Sequence, residues 1–476
     1  MRSTVERVSV LATRPTVLLQ GEDAGATFYF WQWIDEYLTE PKVHIIERTE
    51  LAPLLSELHG SLPGSAAGEK DKVMLSRVLH DGVFATLDRE RDFARRLTDT
   101  LLPEELAMEI VQKSREHGGP IFLRLIPSPS CAKVPWELLI INVDGEDHRL
   151  LEFADITSDI PAGLYANRAN PPAEWSPEYS TRPAVYVVDP PSFVEPAILH
   201  ASQRKQVAQS WSSTVQGNPG PGEECSRRAL SELLNLGPSR LFYLGHVASS
   251  SAEPGATSLL LSDRVETFGV ISNVIGRGGR SNRPFSAFDA VEGTLYRENR
   301  EREIHLARGT VKKLEMPTDS TEPLAGSEIW PMPARVALIA CNSGGDLGHP
   351  EPFGLVMAFV NAGAGIVTAT RWTLPTDFAF RATEALTSGD PQPLLDMAIR
   401  IDHEHRQDDP VSGLAAWQRE RLAVWNSTSG APTEVRESPL MWASITTYVA
   451  PNKPAGELTL EELDLVKGES NGAHSA

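Results

Sequence analysis

Four strongly apolar segments in the second half of the chain lack polar alternation, and this constrains the fold more than any other feature. They read AVYVVDP, RLFYLGH, RVALIAC and GIVTATRW, and they fall between Ala184 and Trp372. Segments of helical character separate them, such as HASQRKQVAQSW and FGLVMAFVNAG. Strands without alternation are buried on both faces, and helices between them provide parallel crossovers. The pattern predicts an α/β fold with a largely parallel sheet that is covered by helices on both faces.

The chain is predicted to have four parts. Residues 1–70 form an α/β segment that either completes the following part or docks a partner. Residues 71–182 contain amphipathic helices and end in a proline-rich linker, and residues 183–450 form the main α/β domain. A charge-rich insertion covers 276–333, and the acidic tail 451–476 is predicted to be disordered.

Charge and cysteine content argue against several classes of protein. The formal net charge of −20 disfavours direct binding to nucleic acid or to an anionic membrane surface. We find neither an apolar run long enough to span a membrane nor the apolar core of a signal peptide. Three cysteines are too few for a disulfide framework, which favours a reducing, cytoplasmic location.

Two of the predicted strands end in reactive residues. RLFYLGH ends at His246 and RVALIAC ends at Cys341, which are 341 − 246 = 95 positions apart. If these strands are neighbours in a parallel sheet, both side chains emerge at the edge where such sheets carry their chemistry. A thiol with an unperturbed pKa of about 8.5 needs a nearby base or cation to ionise at neutral pH, and an imidazole can serve as either.

The segment after Cys341 supports the same chemistry, although simpler interpretations exist. The glycines of CNSGG would let backbone N–H groups approach a substrate carbonyl and stabilise its oxyanion. A cysteine that ends a buried strand is, however, usually a small apolar core residue. The pair His403 and His405 in DHEHRQDD lacks further metal ligands, so an exposed helix face is predicted there and no metal site.

Five motifs, in this order, resemble those of CHAT domains: VPWELL, LFYLGH, ALIACNSGG, VTATRWTLPTD and SPLMWAS. CHAT domains are bacterial caspase-like cysteine proteases of the caspase, separase and gingipain group. The resemblance extends roughly from Lys72 to Tyr448. It implies a caspase-like three-layer α/β sandwich, preceded by a degenerate pseudo-caspase subdomain over 71–182 that contains VPWELL.

The resemblance also implies an activity and its regulation. It implies peptide-bond hydrolysis of protein substrates by the dyad His246 and Cys341, without a metal or another cofactor. Proteins of this family often act in prokaryotic defence, including antiviral defence, or in regulated proteolysis, and are activated by a partner protein. The Arg- and Lys-rich stretch of the insertion, RENREREIHLARGTVKK, suggests activation by self-cleavage as a further possibility.

The chain departs from the family pattern directly after the histidine, where Val247 replaces the usual glycine. In the family, the backbone N–H groups of this residue and of the cysteine form the oxyanion hole, here Val247 and Cys341. Valine keeps the N–H but restricts the backbone, and losing one such donor typically costs about a hundred- to a thousand-fold in rate. A weak or inactive scaffold that binds a partner protein is therefore the alternative function. A cysteine-dependent amidase or acyltransferase would need the same nucleophile.

Four residues are candidates for substrate binding. In this fold the loops after the first strand and after the cysteine line the main pocket, which places Asp189 and Asp346 there. Two carboxylates would favour arginine or lysine in the substrate. Arg371 and Trp372 follow the next strand, where the fold has its substrate-binding edge. Asp189 could instead cap the Asp-Pro-Pro turn, and core packing would equally explain Trp372.

Overall fold

The structure is a computed structural model, and it describes thirteen stretches of the chain. They are 14–34, 40–64, 71–161, 167–192, 194–248, 257–263, 274–275, 281–282, 284–293, 324–340, 354–377, 392–428 and 437–450. Cys341, Asp346, most of the insertion over 276–333 and the tail 451–476 lie outside the described residues.

Strands and helices alternate along most of the described chain. The strands are β1 (Thr16–Ala24), β2 (Ala26–Trp33), β3 (Lys42–Ile46), β4 (Ile121–Ile126), β5 (Ile140–Val143), β6 (Glu146–Arg149), β7 (Ala154–Asp159), β8 (Val185–Val188), β9 (Arg240–Leu244), β10 (Val247–Ala248), β11 (Ser258–Leu259), β12 (Val274–Ile275), β13 (Ser281–Asn282), β14 (Phe285–Ser286), β15 (Arg335–Ile339), β16 (Ile366–Thr370) and β17 (Ile445–Val449). The helices are α1 (Arg48–Gly60), α2 (Asp71–His80), α3 (Leu87–Leu101), α4 (Glu104–His117), α5 (Leu150–Phe153), α6 (Pro177–Ser180), α7 (Ala201–Ser210), α8 (Arg227–Leu234), α9 (Ala287–Glu292), α10 (Gly326–Ile329), α11 (Leu355–Asn361), α12 (Pro393–Glu404), α13 (Pro410–Asn426) and α14 (Pro439–Trp442).

One sheet of ten strands runs through the molecule in the order β3-β2-β1-β4-β7-β17-β16-β15-β9-β8. Strand pairing is parallel from β1 through β4 and β7 to β17, and again from β16 through β15 and β9 to β8. Antiparallel pairs join β1 to β2, β2 to β3 and β16 to β17. The predicted α/β class with a largely parallel sheet is confirmed.

The missing alternation in β8 is explained by its position between two apolar layers. Val185 and Val187 pack into one core cluster, whereas Tyr186 and Val188 pack into another on the opposite face. All four side chains are buried, because helices cover both faces of this half of the sheet. Burying an aliphatic side chain of this size contributes roughly 1.5–3 kcal/mol.

The first 70 residues contribute strands to the same sheet. β1 lies parallel to β4, with Leu19 opposite Leu125, and β2 and β3 extend the sheet beyond it. Helix α1 packs its buried leucines, Leu51, Leu54, Leu55 and Leu58, into the core of this half. Strands β1 to β3 thus extend the sheet of residues 71–182, which follow them in the chain.

His405 is buried at the end of α12. His405 is 1% exposed and hydrogen-bonds through Nε2 to the Thr368 hydroxyl at 2.7 Å. The predicted exposed helix face is therefore wrong for His405, which follows α12 directly and packs against the sheet at Thr368. Among the helices of the described ranges, none has the length and hydropathy that crossing a membrane requires.

Candidate active site

Strands β9 and β15 are parallel neighbours that end at the same edge of the sheet. Their register pairs Leu244 with Ile339, an offset of 339 − 244 = 95. The Gly245 N–H donates to the Ile339 carbonyl at 3.2 Å and continues the pairing one residue beyond β9. His246 follows β9 by two positions, and Cys341, outside the described residues, follows Ile339 by two. The offset between the two residues of the predicted dyad, 341 − 246 = 95, equals the register of the two strands.

The ring of His246 has a defined orientation. Its Nε2 lies 2.8 Å from the carbonyl oxygen of Pro196, which can only accept a hydrogen bond. Nε2 therefore carries hydrogen, and Nδ1 is the basic nitrogen of the neutral ring. Sequence reasoning missed Pro196, because a backbone carbonyl leaves no mark in the identity of the residue.

The peptide after His246 is held from two sides. The Leu260 N–H donates to the His246 carbonyl at 2.9 Å, and the Tyr243 hydroxyl donates to it at 2.7 Å. Gly245 allows this arrangement, because a Cβ at this position would overlap the Tyr243 hydroxyl. In the sequence Tyr-Leu-Gly-His, the tyrosine hydroxyl clamps the histidine carbonyl, and the glycine leaves room for that hydroxyl.

The backbone N–H of Val247 points away from its neighbouring strand. Val247 pairs with Leu259 in the antiparallel ladder, next to the hydrogen-bonded pair His246 and Leu260. Hydrogen-bonded and non-hydrogen-bonded pairs alternate in such ladders, so the Val247 N–H does not bond to Leu259. Its side chain packs against a core cluster. The β10–β11 ladder thus leaves this N–H to another acceptor, as the predicted oxyanion role of Val247 requires.

The segment that leads to Cys341 is anchored by β16. The Thr370 hydroxyl donates a hydrogen bond to the carbonyl oxygen of Ala340, the residue before Cys341. β16 lies beside β15 in parallel register, with Ala369 opposite Leu338. Sequence reasoning missed Thr370, although the hydroxyls of Thr368 and Thr370 in a buried strand were an available signal.

Asp189 is held by internal contacts with a later segment of the chain. Its Oδ1 accepts from the Ile198 N–H at 2.7 Å, and its Oδ2 accepts from the Leu199 N–H at 3.2 Å. Arg204 forms an ion pair with Oδ2 at 2.7 Å. The side chain is 2% exposed, so these contacts favour an internal role over a substrate pocket, and they reach past the Asp-Pro-Pro turn to a later segment of the chain.

Arg371 and Trp372 also make internal contacts. The Arg371 guanidinium donates to both carboxylate oxygens of Glu137, at 2.7 and 2.8 Å, and the side chain of Arg371 is 6% exposed. The Trp372 indole N–H donates to the Leu440 carbonyl at 2.9 Å. These contacts favour packing roles and connect three of the five sequence motifs. Asp346 lies outside the described residues.

The other two cysteines are poorly suited to nucleophilic attack. Both Cys131 and Cys225 are buried. Burial raises the pKa of Cys131, and burial together with nearby Asp263 raises the pKa of Cys225 to about 12. The thiolate is the reactive form, so a raised pKa and a buried sulfur both suppress reactivity.

A cavity of about 530 Å³ lies in the other half of the molecule, between the β1–β2 turn and α1. Asp23, Arg48 and His59 are among its lining residues. The Asp23 carboxylate already accepts hydrogen bonds from Thr27 and Ser130. The cavity shares no lining residue with the edge that carries His246.

Within the described ranges, no group of three or more His, Cys, Asp or Glu side chains could hold a metal ion.

Comparison with known proteins assigns the family. The family model of the CHAT domain matches residues 91–450, more than half of the chain. The chain belongs to the CHAT-domain family. The CHAT domain is caspase-like, which agrees with the α/β sheet and with the resemblance of the five motifs.

Two other comparisons add little to the CHAT assignment. A search among curated proteins returned no match. Among solved structures, the chain is similar to the Saccharomyces cerevisiae separase–securin complex, with a TM-score of 0.46 and 8% sequence identity. The match covers 92% of this chain but 30% of that one. At this level, the likeness defines neither an activity nor a partner for the CHAT protein.

Proposed function

We propose that this CHAT protein is a cysteine endopeptidase that hydrolyses peptide bonds through His246 and Cys341. The observation that carries the proposal is the register of β9 and β15, whose offset of 95 equals the separation of the two residues. The Pro196 carbonyl supports it, because it orients the His246 ring at the edge where β15 also ends. The family match supports the same class of activity.

The proposed reaction uses the His246 ring in the orientation that the Pro196 carbonyl gives it. Nδ1 of His246 takes the thiol proton of Cys341, and the thiolate attacks the carbonyl carbon of the scissile bond. The Val247 and Cys341 N–H groups stabilise the oxyanion. Collapse of the tetrahedral intermediate breaks the C–N bond, and the imidazolium gives its proton to the leaving amine. Water then hydrolyses the thioester and regenerates the thiol. The hydrogen bond from Nε2 to Pro196 holds the ring throughout.

The substrate and the regulation belong to the same proposal. Because the Asp189 carboxylate is occupied by internal contacts, a preference for arginine or lysine rests on Asp346. We also propose an activating protein partner or self-cleavage in the insertion, and a role in prokaryotic defence or regulated proteolysis in the cytoplasm. Intact mass spectrometry of wild type beside Cys341→Ala tests self-cleavage, which predicts fragments only in the wild type.

The proposal is tested by labelling with acyloxymethyl-ketone peptides that carry Arg, Lys, Leu or Asp at the reacting position. Intact-mass measurement of wild type should show one adduct, absent in Cys341→Ala and strongly slowed in His246→Ala. Labelling by a peptidyl electrophile would favour a protease over an amidase or acyltransferase. Alkylation by iodoacetamide needs no peptide pocket, so it tests the dyad even without an activator. Folded wild type that no peptide labels, with Cys341 alkylation independent of His246, would support the scaffold function instead.

A further inference from the structure

A buried carboxylate closes the loop that presents Pro196 to the catalytic histidine. Asp189 directly follows β8, and the two N–H groups that its carboxylate binds belong to Ile198 and Leu199. Pro196 comes two residues before Ile198. The Asp189 side chain thus connects the start of this loop to its end, next to the carbonyl that accepts from His246.

Arg204, in α7, holds the carboxylate from the other side. Its Nε and Nη2 donate to the same oxygen of Asp189, at 3.1 and 2.7 Å. The guanidinium lies against Gly222, where a Cβ would overlap it. The Gly222 N–H in turn donates to the Val188 carbonyl at 2.8 Å, beside the end of β8. A side chain at residue 222 would therefore force the guanidinium to shift.

Asp189 is also fastened to the strand that carries His246. Its backbone N–H donates to the Leu244 carbonyl at 2.7 Å, two residues before the histidine. Asp189 has φ = 53°, and among the described residues only one other non-glycine residue, Asp144, has positive φ. A left-handed backbone outside glycine persists where its surroundings hold it, and such strain is often found at functional sites.

We infer that Asp189 is a positioning residue, which acts on His246 through the loop and the Pro196 carbonyl and does not touch the substrate. This inference rests on the proposed dyad. The bond from Nε2 to Pro196 selects one tautomer and one orientation of the imidazole. Asp189 fixes the acceptor of that bond relative to the strand beneath the histidine. Releasing the loop therefore removes the preference for the tautomer whose Nδ1 is basic.

The test compares two buried aspartates that form similar ion pairs. Asp189→Asn removes the charge next to Arg204, where the aspartate and arginine side chains are 2% and 31% exposed. Asp159→Asn is the matched control, since Asp159 pairs with Arg124 at 2.5 Å with exposures of 4% and 26%. Asp159 lies in β7, which four strands separate from β8 in the sheet. Both variants lose a buried ion pair, but only Asp189→Asn also loses an acceptor for the loop, because an amide nitrogen cannot accept from the second N–H.

The first readout is the tautomer of His246, from nitrogen NMR with ¹⁵N-labelled histidine in a Cys341→Ala background. The His246 signals are identified by their loss in His246→Gln. We expect the Nε2–H tautomer in the background protein and in Asp159→Asn, and a mixture of tautomers in Asp189→Asn. An unchanged tautomer in folded Asp189→Asn would overturn the inference. If Asp189→Asn does not fold, Arg204→Gln replaces it with the same expectation.

The second readout is the pH dependence of Cys341 alkylation in proteins that retain the cysteine. We expect Asp189→Asn to slow alkylation at pH 6 by about tenfold or more, because thiolate formation loses its oriented partner. Asp159→Asn should leave the profile in place. The proposed dyad and the inference about Asp189 can fail separately. If His246→Ala leaves the pH dependence of Cys341 alkylation unchanged, the dyad is contradicted. The tautomer measurement tests the role of Asp189 without depending on any reaction of Cys341.

Discussion

Arg371 and Glu137 form a buried, two-point ion pair between positions that are 234 residues apart in the chain. The same guanidinium also donates to the carbonyls of Val134 and Ile445. The Arg371 side chain therefore connects the segment around Glu137 to β17. The motifs VPWELL and TATRW therefore meet in the folded protein.

Breaking this pair should destabilise the fold without altering substrate preference. We expect Glu137→Gln to lower the free energy of unfolding by about 3–5 kcal/mol, because it leaves the Arg371 charge buried and uncompensated. Urea unfolding measures this loss. The double variant Glu137→Leu with Arg371→Met is the control and should lose less. A changed preference among peptide labels at unchanged stability would instead restore the substrate-binding role of Arg371.

Gly245→Ala should damage the site through a single added methyl group. The new Cβ overlaps the Tyr243 hydroxyl, which clamps the His246 carbonyl. Overpacking of this kind typically costs about 1–3 kcal/mol and here displaces the peptide of the histidine. The rate of labelling by the reactive peptide measures the effect. Gly60→Ala is the control, since a Cβ there meets no atom within 4 Å. Equal rates for both variants would contradict the clamp.

Asp377 should make stability depend on pH. Burial raises its pKa from 3.8 to about 6, although Gln203 and the Leu394 N–H donate to the carboxylate. The native state therefore holds a proton that the unfolded state releases, so the stabilisation is complete below pH 3.8 and is lost as the pH rises through 6. Relative to Asp377→Asn, wild type should lose about 3 kcal/mol over that interval. Urea unfolding from pH 4 to 7 measures the difference, and a constant difference would refute the buried proton.

Only one of the three cysteines should react in the native protein. Burial protects Cys131 and Cys225 and raises the pKa of both thiols. Brief treatment with iodoacetamide at neutral pH should add one group, at Cys341, whereas treatment in urea should add three. Peptide mapping identifies the position. Native modification of Cys131 or Cys225 at a comparable rate would show that burial does not protect them.

The buried strands were predictable because their sequences reflect where they lie. β8, β9, β15 and β16 have apolar side chains on both faces, as a central parallel sheet requires. Their order in the sheet, and the pairing of the strands of residues 1–70 beyond β4, were not predictable. Lateral pairing depends on backbone hydrogen bonds that every residue except proline can make in full.

The site was predictable only where chemistry depends on side-chain type. His246 stood out as a titratable group at the end of a strand, but its partner Pro196 uses a carbonyl that all residues possess. Asp189 was recognised as important, yet a carboxylate in a turn fits a pocket and a cap equally well. Arg371 was assigned to a substrate edge because a buried partner 234 positions away cannot be read from local sequence.

β17 has a consequence for how the protein is made. It lies in the middle of the sheet, between β7 and β16, yet it follows every other strand of the sheet in the chain. During synthesis the ribosome releases β17 after the other nine strands, so β7 and β16 cannot be joined through it until the end of synthesis. Pairing between parts so distant in sequence is intrinsically slow. Joining of the two halves into one sheet is thus a late event in biogenesis, and the nascent chain carries His246 well before its supporting framework is complete.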